Sequence, residues 1–195
     1  MSQVNYIDAC LRVTQLEDLK SDSVLEKIEK HGFAAIRGLF RTAELDQTLA
    51  MIKKEITNQE LNPAFGESPK SIMDNFQKIV VGGGAQQSFY VPRCVRVAYN
   101  PIWSKDIYQM RAHFITLAKV RNIIQKKPLD YALTNIAQDG FWTASRLQHY
   151  PAGGGFFMEH RDAVLEKHTK LAGMLKFIQI ILLVTQKGED FDVGG

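Results

Sequence analysis

The stretch GGGFFMEHRDAV, residues 153–164, decides how the rest of the chain is read. From Phe156 to Asp162 it has the alternation of a β-strand, in which every second residue shares a face. On that reading Met158, His160 and Asp162 stand on one side, and Glu159 and Arg161 on the other. An imidazole and a carboxylate side by side make two thirds of a facial triad. That set holds Fe(II) and leaves three positions open, room for a bidentate 2-oxo acid and dioxygen. His160 and Asp162 are the candidate metal ligands.

The same residues spell H-R-D, the catalytic loop of a protein kinase, and that reading is weighed against its required companions. An Asn is needed five residues after the Asp, and Lys167 stands there. The nearest counterpart of the magnesium-binding D-F-G is Asp190-Phe191-Asp192, with Asp where Gly is required. Gly82 to Gly84 are consecutive rather than spaced, and no V-A-I-K lysine follows them. A motif without its structural context carries little, and the kinase reading is set aside. His-x-Asp is also short enough to recur by chance, so its surroundings have to carry the iron reading.

The bulk numbers set bounds. A chain of 195 residues, 45% apolar and 23% charged, is long enough for one globular domain with a sizeable core. With 24 basic and 21 acidic residues the net charge of +3 gives no basic stripe and no case for nucleic acid. Cys10 and Cys94 lack metal-ligand spacing and make a poor disulfide framework for this length, so reduced thiols in a cytoplasmic protein are expected. The opening MSQVNYIDACLRV is too polar for a signal peptide. The run from Ile178 to Val184 is too short to span a bilayer.

Along the chain, Ser21 or Ser23 is expected to cap a helix through Val24, Leu25 and Ile28 that stops at His31-Gly32. FAAIRGLF (33–40) reads as a strand. Thr42 is expected to cap a longer helix with Leu45, Leu49, Ile52 and Ile56 at helical spacing. Residues 61–71 read as a loop, 80–89 as a glycine turn and 94–99 as a strand. Ser104 is expected to cap a helix bearing Ile107, Met110, Phe114, Leu117 and Ile124, with Pro128 beyond it. From residue 141 the period becomes two, with strands at 145–151, 156–162 and 174–186. Helices first and strands later, without βαβ alternation, argue against a doubly wound sheet.

QHYPAGGGFFMEHRD (148–162) resembles the prolyl 4-hydroxylase type of iron(II)- and 2-oxoglutarate-dependent oxygenase. In that family a tyrosine-bearing strand enters a glycine-rich turn and then the strand with H-x-D. The matching residues are Tyr150, Gly153 to Gly155, His160 and Asp162. ILLVTQKGEDFDVGG (181–195) resembles the family's next core strand and Gly-Gly turn. HGFAAIRGLFRTAELDQTL (31–49) resembles the opening of these enzymes and of the phytanoyl-CoA hydroxylase group. Only residues 145–195 carry specific motifs.

The resemblance implies an α+β chain, mainly β in its core, with a helical N-terminal layer (about 1–140) before the first strands of a double-stranded β-helix, a cupin-like jelly roll (about 141–195), all in one dioxygenase domain. It implies Fe(II), 2-oxoglutarate as cosubstrate, a possible role for ascorbate, and hydroxylation of a C–H bond in a small-molecule or peptidyl substrate with release of succinate and carbon dioxide. It implies that Tyr150 donates its hydroxyl to the bound 2-oxo acid; packing at the core edge is the plainer role. The family also has a second histidine on a later strand and an Arg or Lys for the distal carboxylate. Neither is found after Asp162, where His168 reads as a loop residue. The chain stops at EDFDVGG, a turn out of an apolar strand, so a C-terminally truncated, inactive fragment is expected. The alternative is a non-catalytic cupin-like β-barrel binding protein. Of the remaining histidines, His31 suits a helix C-terminus, His113 a helix surface, and His149 a structural place facing away from Tyr150. Arg146 and Gln148 share the parity of Tyr150.

Overall fold

The computed structural model describes residues 6–61, 74–79, 93–99, 106, 109–141, 143, 145–150, 156–157, 178–185 and 188–190. The chain divides into two compact units. The first takes Met1–Thr57, Asp106–Thr143 and Ile180–Gly195, and the second Asn58–Lys105 and Ala144–Gln179.

In the first unit, strand β1 (Cys10–Arg12) runs parallel to β2 (Ala35–Arg37), with Cys10 opposite Ala35 and Arg12 opposite Arg37. Helix α1 (Ser21–His31) connects them. This is one βαβ crossover, an alternation not expected from the sequence. Strands of three residues are too short to impose a readable period. Gly38, just after β2, has φ +89°, and a Cβ there would lie 2.1 Å from the Val13 carbonyl oxygen. Only glycine allows that approach. The Cys10 thiol is free and half-buried.

Helix α1 ends as expected. Gly32 is left-handed at φ 81° and its N–H donates to the Ile28 carbonyl at 2.8 Å. Its start differs: Lys20 is the cap residue and Ser21 is already helical. The Ser21 hydroxyl instead donates at 3.0 Å to the Ile124 carbonyl at the end of another helix, a group with no partner inside its own helix.

Helix α2 (Thr42–Leu61) takes in Thr42 as a helical residue, with the Arg41 carbonyl accepting from the Glu44 and Leu45 amides. Among its residues 42–54, Thr48 and Ile52 are buried, with Leu45 and Leu49 half-buried beside them. The Thr48 hydroxyl is satisfied by the Glu44 carbonyl at 2.9 Å.

Helix α3 (Arg111–Ile124) begins seven residues after the expected cap, with the Asp106 carboxylate accepting from the Arg111 amide at 2.8 Å. Gln109, at φ 54°, breaks the backbone just before it. The far end closes as a Schellman motif: Lys126 is left-handed, and the Lys127 and Lys126 amides donate to the Asn122 and Ile123 carbonyls. Pro128 follows. α1 packs against α3, and Val24, Val120 and Ile124 are buried in the first unit with Ala9, Leu19 and Met110. Lys126 and Asp22 form an exposed ion pair at 2.9 Å.

The second unit is a sheet. Strands β3 (Asp74–Ile79) and β4 (Arg93–Tyr99) are antiparallel, and β4 pairs antiparallel with both β5 (Arg146–His149) and β6 (Phe156–Phe157). β3 was missed in the sequence, where its mixed composition gives no clean alternation. The strand expected over 174–186 is not seen in its described part: residues 178–185 enter no strand, although half-buried Ile178, Ile180, Leu182 and Val184 alternate with exposed Gln179, Ile181 and Leu183. The glycine turn at 80–89 lies outside the described residues. Among the described residues no helix is long and apolar enough to cross a membrane.

Candidate functional site

The site predicted from the sequence is centred on the strand that begins at Phe156. β4 supplies the frame: β3 occupies one of its edges, and β5 and β6 share the other. Arg96 stands opposite His149, and Cys94 opposite Phe156. Residues 150–155 therefore intervene while β4 advances by Val95 alone. The two segments lie end to end along one edge, where the sequence leads one to expect two neighbouring strands.

Tyr150 is the first residue after β5 and is 46% exposed. Of the strand before it, Arg146 is exposed, and Leu147, Gln148 and His149 are half-buried. His149 is the last paired residue, opposite Arg96. His160, Asp162, the glycines 153–155 and His168 lie outside the described residues. Among the described residues no three His, Cys, Asp or Glu side chains group as a metal site.

The other histidines belong to the first unit. His31 is the last residue of α1, as expected, and is half-buried. His113 is half-buried on α3 and stacks on Phe40, with ring centres 5.5 Å apart.

One polar cluster had no signature in the sequence. Arg121 and Asn122, in the last turn of α3, are both buried, with Asn122 fully enclosed. Arg121 donates through Nε and Nη2 to the Asn122 Oδ1 at 3.1 and 2.7 Å, through Nη2 to the Tyr131 carbonyl, and through Nη1 to the Thr143 hydroxyl at 2.8 Å. Asn122 Nδ2 in turn donates to the Leu129 and Tyr131 carbonyls at 3.0 and 2.9 Å. The guanidinium lies over the Phe141 ring at 5.0 Å, and that ring stacks on Tyr131. Burial pulls the guanidinium pKa down, partly offset by Tyr131. The Tyr131 hydroxyl donates to Asp139 at 2.8 Å, and this bond is the main reason the Asp139 carboxyl lies below its ordinary range. The cluster ties α3 to the irregular segment that follows it, through the Leu129 and Tyr131 carbonyls and the Thr143 hydroxyl. Adjacent Arg and Asn on a helix do not announce this, because their partners come from a loop with no period.

Comparison with known proteins gives no match to any family model, curated protein or solved structure.

Proposed function

We propose that the chain is an Fe(II)- and 2-oxoglutarate-dependent dioxygenase that hydroxylates a C–H bond of a small-molecule or peptidyl substrate. The observation that carries this reading is the pair His160 and Asp162 following Gly153 to Gly155 in the sequence. In this reading His160 and Asp162 hold the metal as neutral imidazole and carboxylate, ligands suited to Fe(II). Tyr150, at the end of β5, donates its hydroxyl to the 2-oxo acid. Bound Fe(II) supplies the coupled decarboxylation of 2-oxoglutarate and hydroxylation of substrate. The protein's share is to hold the two reactants and keep water out. The double-stranded β-helix and a cytoplasmic location are parts of the same proposal.

The test is succinate formation with Fe(II), ascorbate and 2-oxoglutarate, run on this chain and on the chain with any coding sequence that continues it. Turnover abolished by His160→Ala and by Asp162→Ala is the expected result, with Fe(II) binding weakened in parallel. Turnover that survives both substitutions overturns the ligand assignment. Failure of the folded protein to bind Fe(II) or form succinate favours a cupin-like binding module.

A further inference from the structure

The outer face of the β1–β2 sheet carries residues for which the iron reading has no use. Ala9 and Val13 are buried, so alternation puts Cys10 and Arg12 on the solvent side of β1. The register sets Cys10 opposite Ala35 and Arg12 opposite Arg37. Both arginines are exposed, while Cys10 and Ala35 are half-buried. Small side chains therefore floor the face, with two arginines side by side next to them. An aromatic pair adjoins the same face. Tyr6 and Phe33 stack with ring centres 6.4 Å apart, and they are 47% and 40% exposed. The Arg37 guanidinium carbon lies 5.4 Å from the Tyr6 ring centre, so ring and charge are neighbours. Like charges facing each other across strands about 4.8 Å apart disfavour one another. A carboxylate would relieve that, yet among the described residues neither arginine forms an ion pair. The groups that act on Arg37 are Tyr6 and the Cys10 thiol, with no carboxylate among them.

We propose that this face binds single-stranded nucleic acid, with a phosphate held by Arg12 and Arg37 and the adjoining base laid on the Tyr6–Phe33 pair. Two planar forks suit a phosphate, whose oxygens each guanidinium can take two at a time. Arginines alone would fit any phosphate. The exposed rings beside them decide for a nucleotide, because a base offers the flat partner that such rings stack on. The short distance between Arg37 and the Tyr6 ring matches the span from phosphate to base within one nucleotide. Sites for free small molecules enclose most of the ligand. Here Tyr6, Arg12, Phe33 and Arg37 are all exposed, which fits a strand lying across the surface. The net charge of +3 gave no hint of this, because the two arginines are distant in sequence and meet only through register. The proposal is independent of the iron reading.

The experiment follows the fluorescence anisotropy of labelled oligouridine and oligothymidine with this chain over a range of salt concentrations. Binding that weakens as salt rises is the expected result. Arg12→Gln and Arg37→Gln should each weaken it and flatten the log–log salt dependence by about 0.7, the value for one phosphate contact on a single strand. Tyr6→Leu or Phe33→Leu should weaken binding by about tenfold and leave the salt dependence as it was. Lys54→Gln, an exposed charge on α2, should change neither. Ultraviolet crosslinking of the unmutated chain to oligouridine, mapped by peptide mass spectrometry, should mark Tyr6 or Phe33, which keeps the test valid if a variant misfolds. Absence of binding by the wild-type chain, binding that survives both arginine substitutions, or crosslinks that map only elsewhere overturns the proposal. So does uridine monophosphate binding as tightly as the oligomer, which would make the occupant a free nucleotide. Capture by phosphatidylserine vesicles without oligonucleotide binding would overturn it in favour of a lipid surface.

Discussion

At Gly38 the backbone decides the residue. The left-handed φ and the approach of the Val13 carbonyl leave no space for a methyl group. Gly38→Ala should cost about 2–4 kcal/mol, combining backbone strain with displacement of the β1–β2 pair; urea denaturation with circular dichroism would measure it. Asp139 makes a different residue-level prediction. Its carboxyl lies below the ordinary value of 3.8, first because Tyr131 donates to it and then because the Phe141 amide does. A depressed folded pKa favours the folded state above the unfolded value, and that benefit is lost as pH falls through the folded value. Tyr131→Phe removes the larger cause. The Asp139 titration, followed by carboxyl-carbon NMR, should therefore move up towards 3.8, and the stability this carboxylate contributes above that value, with its loss in acid, should shrink.

At the scale of elements, the turn of α3 carrying Arg121 and Asn122 anchors a long segment without regular structure. Asn122→Ala would remove an acceptor from the guanidinium and a donor from two loop carbonyls, all in a buried setting. The expected loss is about 3–5 kcal/mol, as when one partner of a buried charged group is deleted, read from the urea midpoint. Faster amide exchange through 125–143 should accompany it. The helices themselves were legible. Period and terminators located α1, α2 and α3, since Gly32 and Pro128 are local signals. The starts of α1 and α2 fall at Ser21 and Thr42, within a residue of the expected caps, although the Ser21 hydroxyl acts across to α3; that of α3 falls seven residues after Ser104. A hydroxyl can serve a neighbouring helix as readily as its own, and sequence cannot say which.

For the whole molecule, strands were read well where alternation was clean, as at 94–99 and 146–149, and missed where strands were short or mixed, as at Cys10–Arg12 and Asp74–Ile79. Of the candidate site His160, Asp162 and Tyr150, only Tyr150 is among the described residues, at the end of β5. Sequence order says nothing of Arg96 standing beside His149, because that pairing is set by register between distant strands. The register of β5 can be tested directly. A one-residue insertion inside 146–149 should reverse the faces of that strand and lower stability, read from the urea midpoint. The same pairing bears on ancestry. β4 holds β3 on one edge and β5 and β6 on the other, so a one-residue change in its length would misalign three partners at once. Among related genes β4 should therefore be the strand least tolerant of insertion.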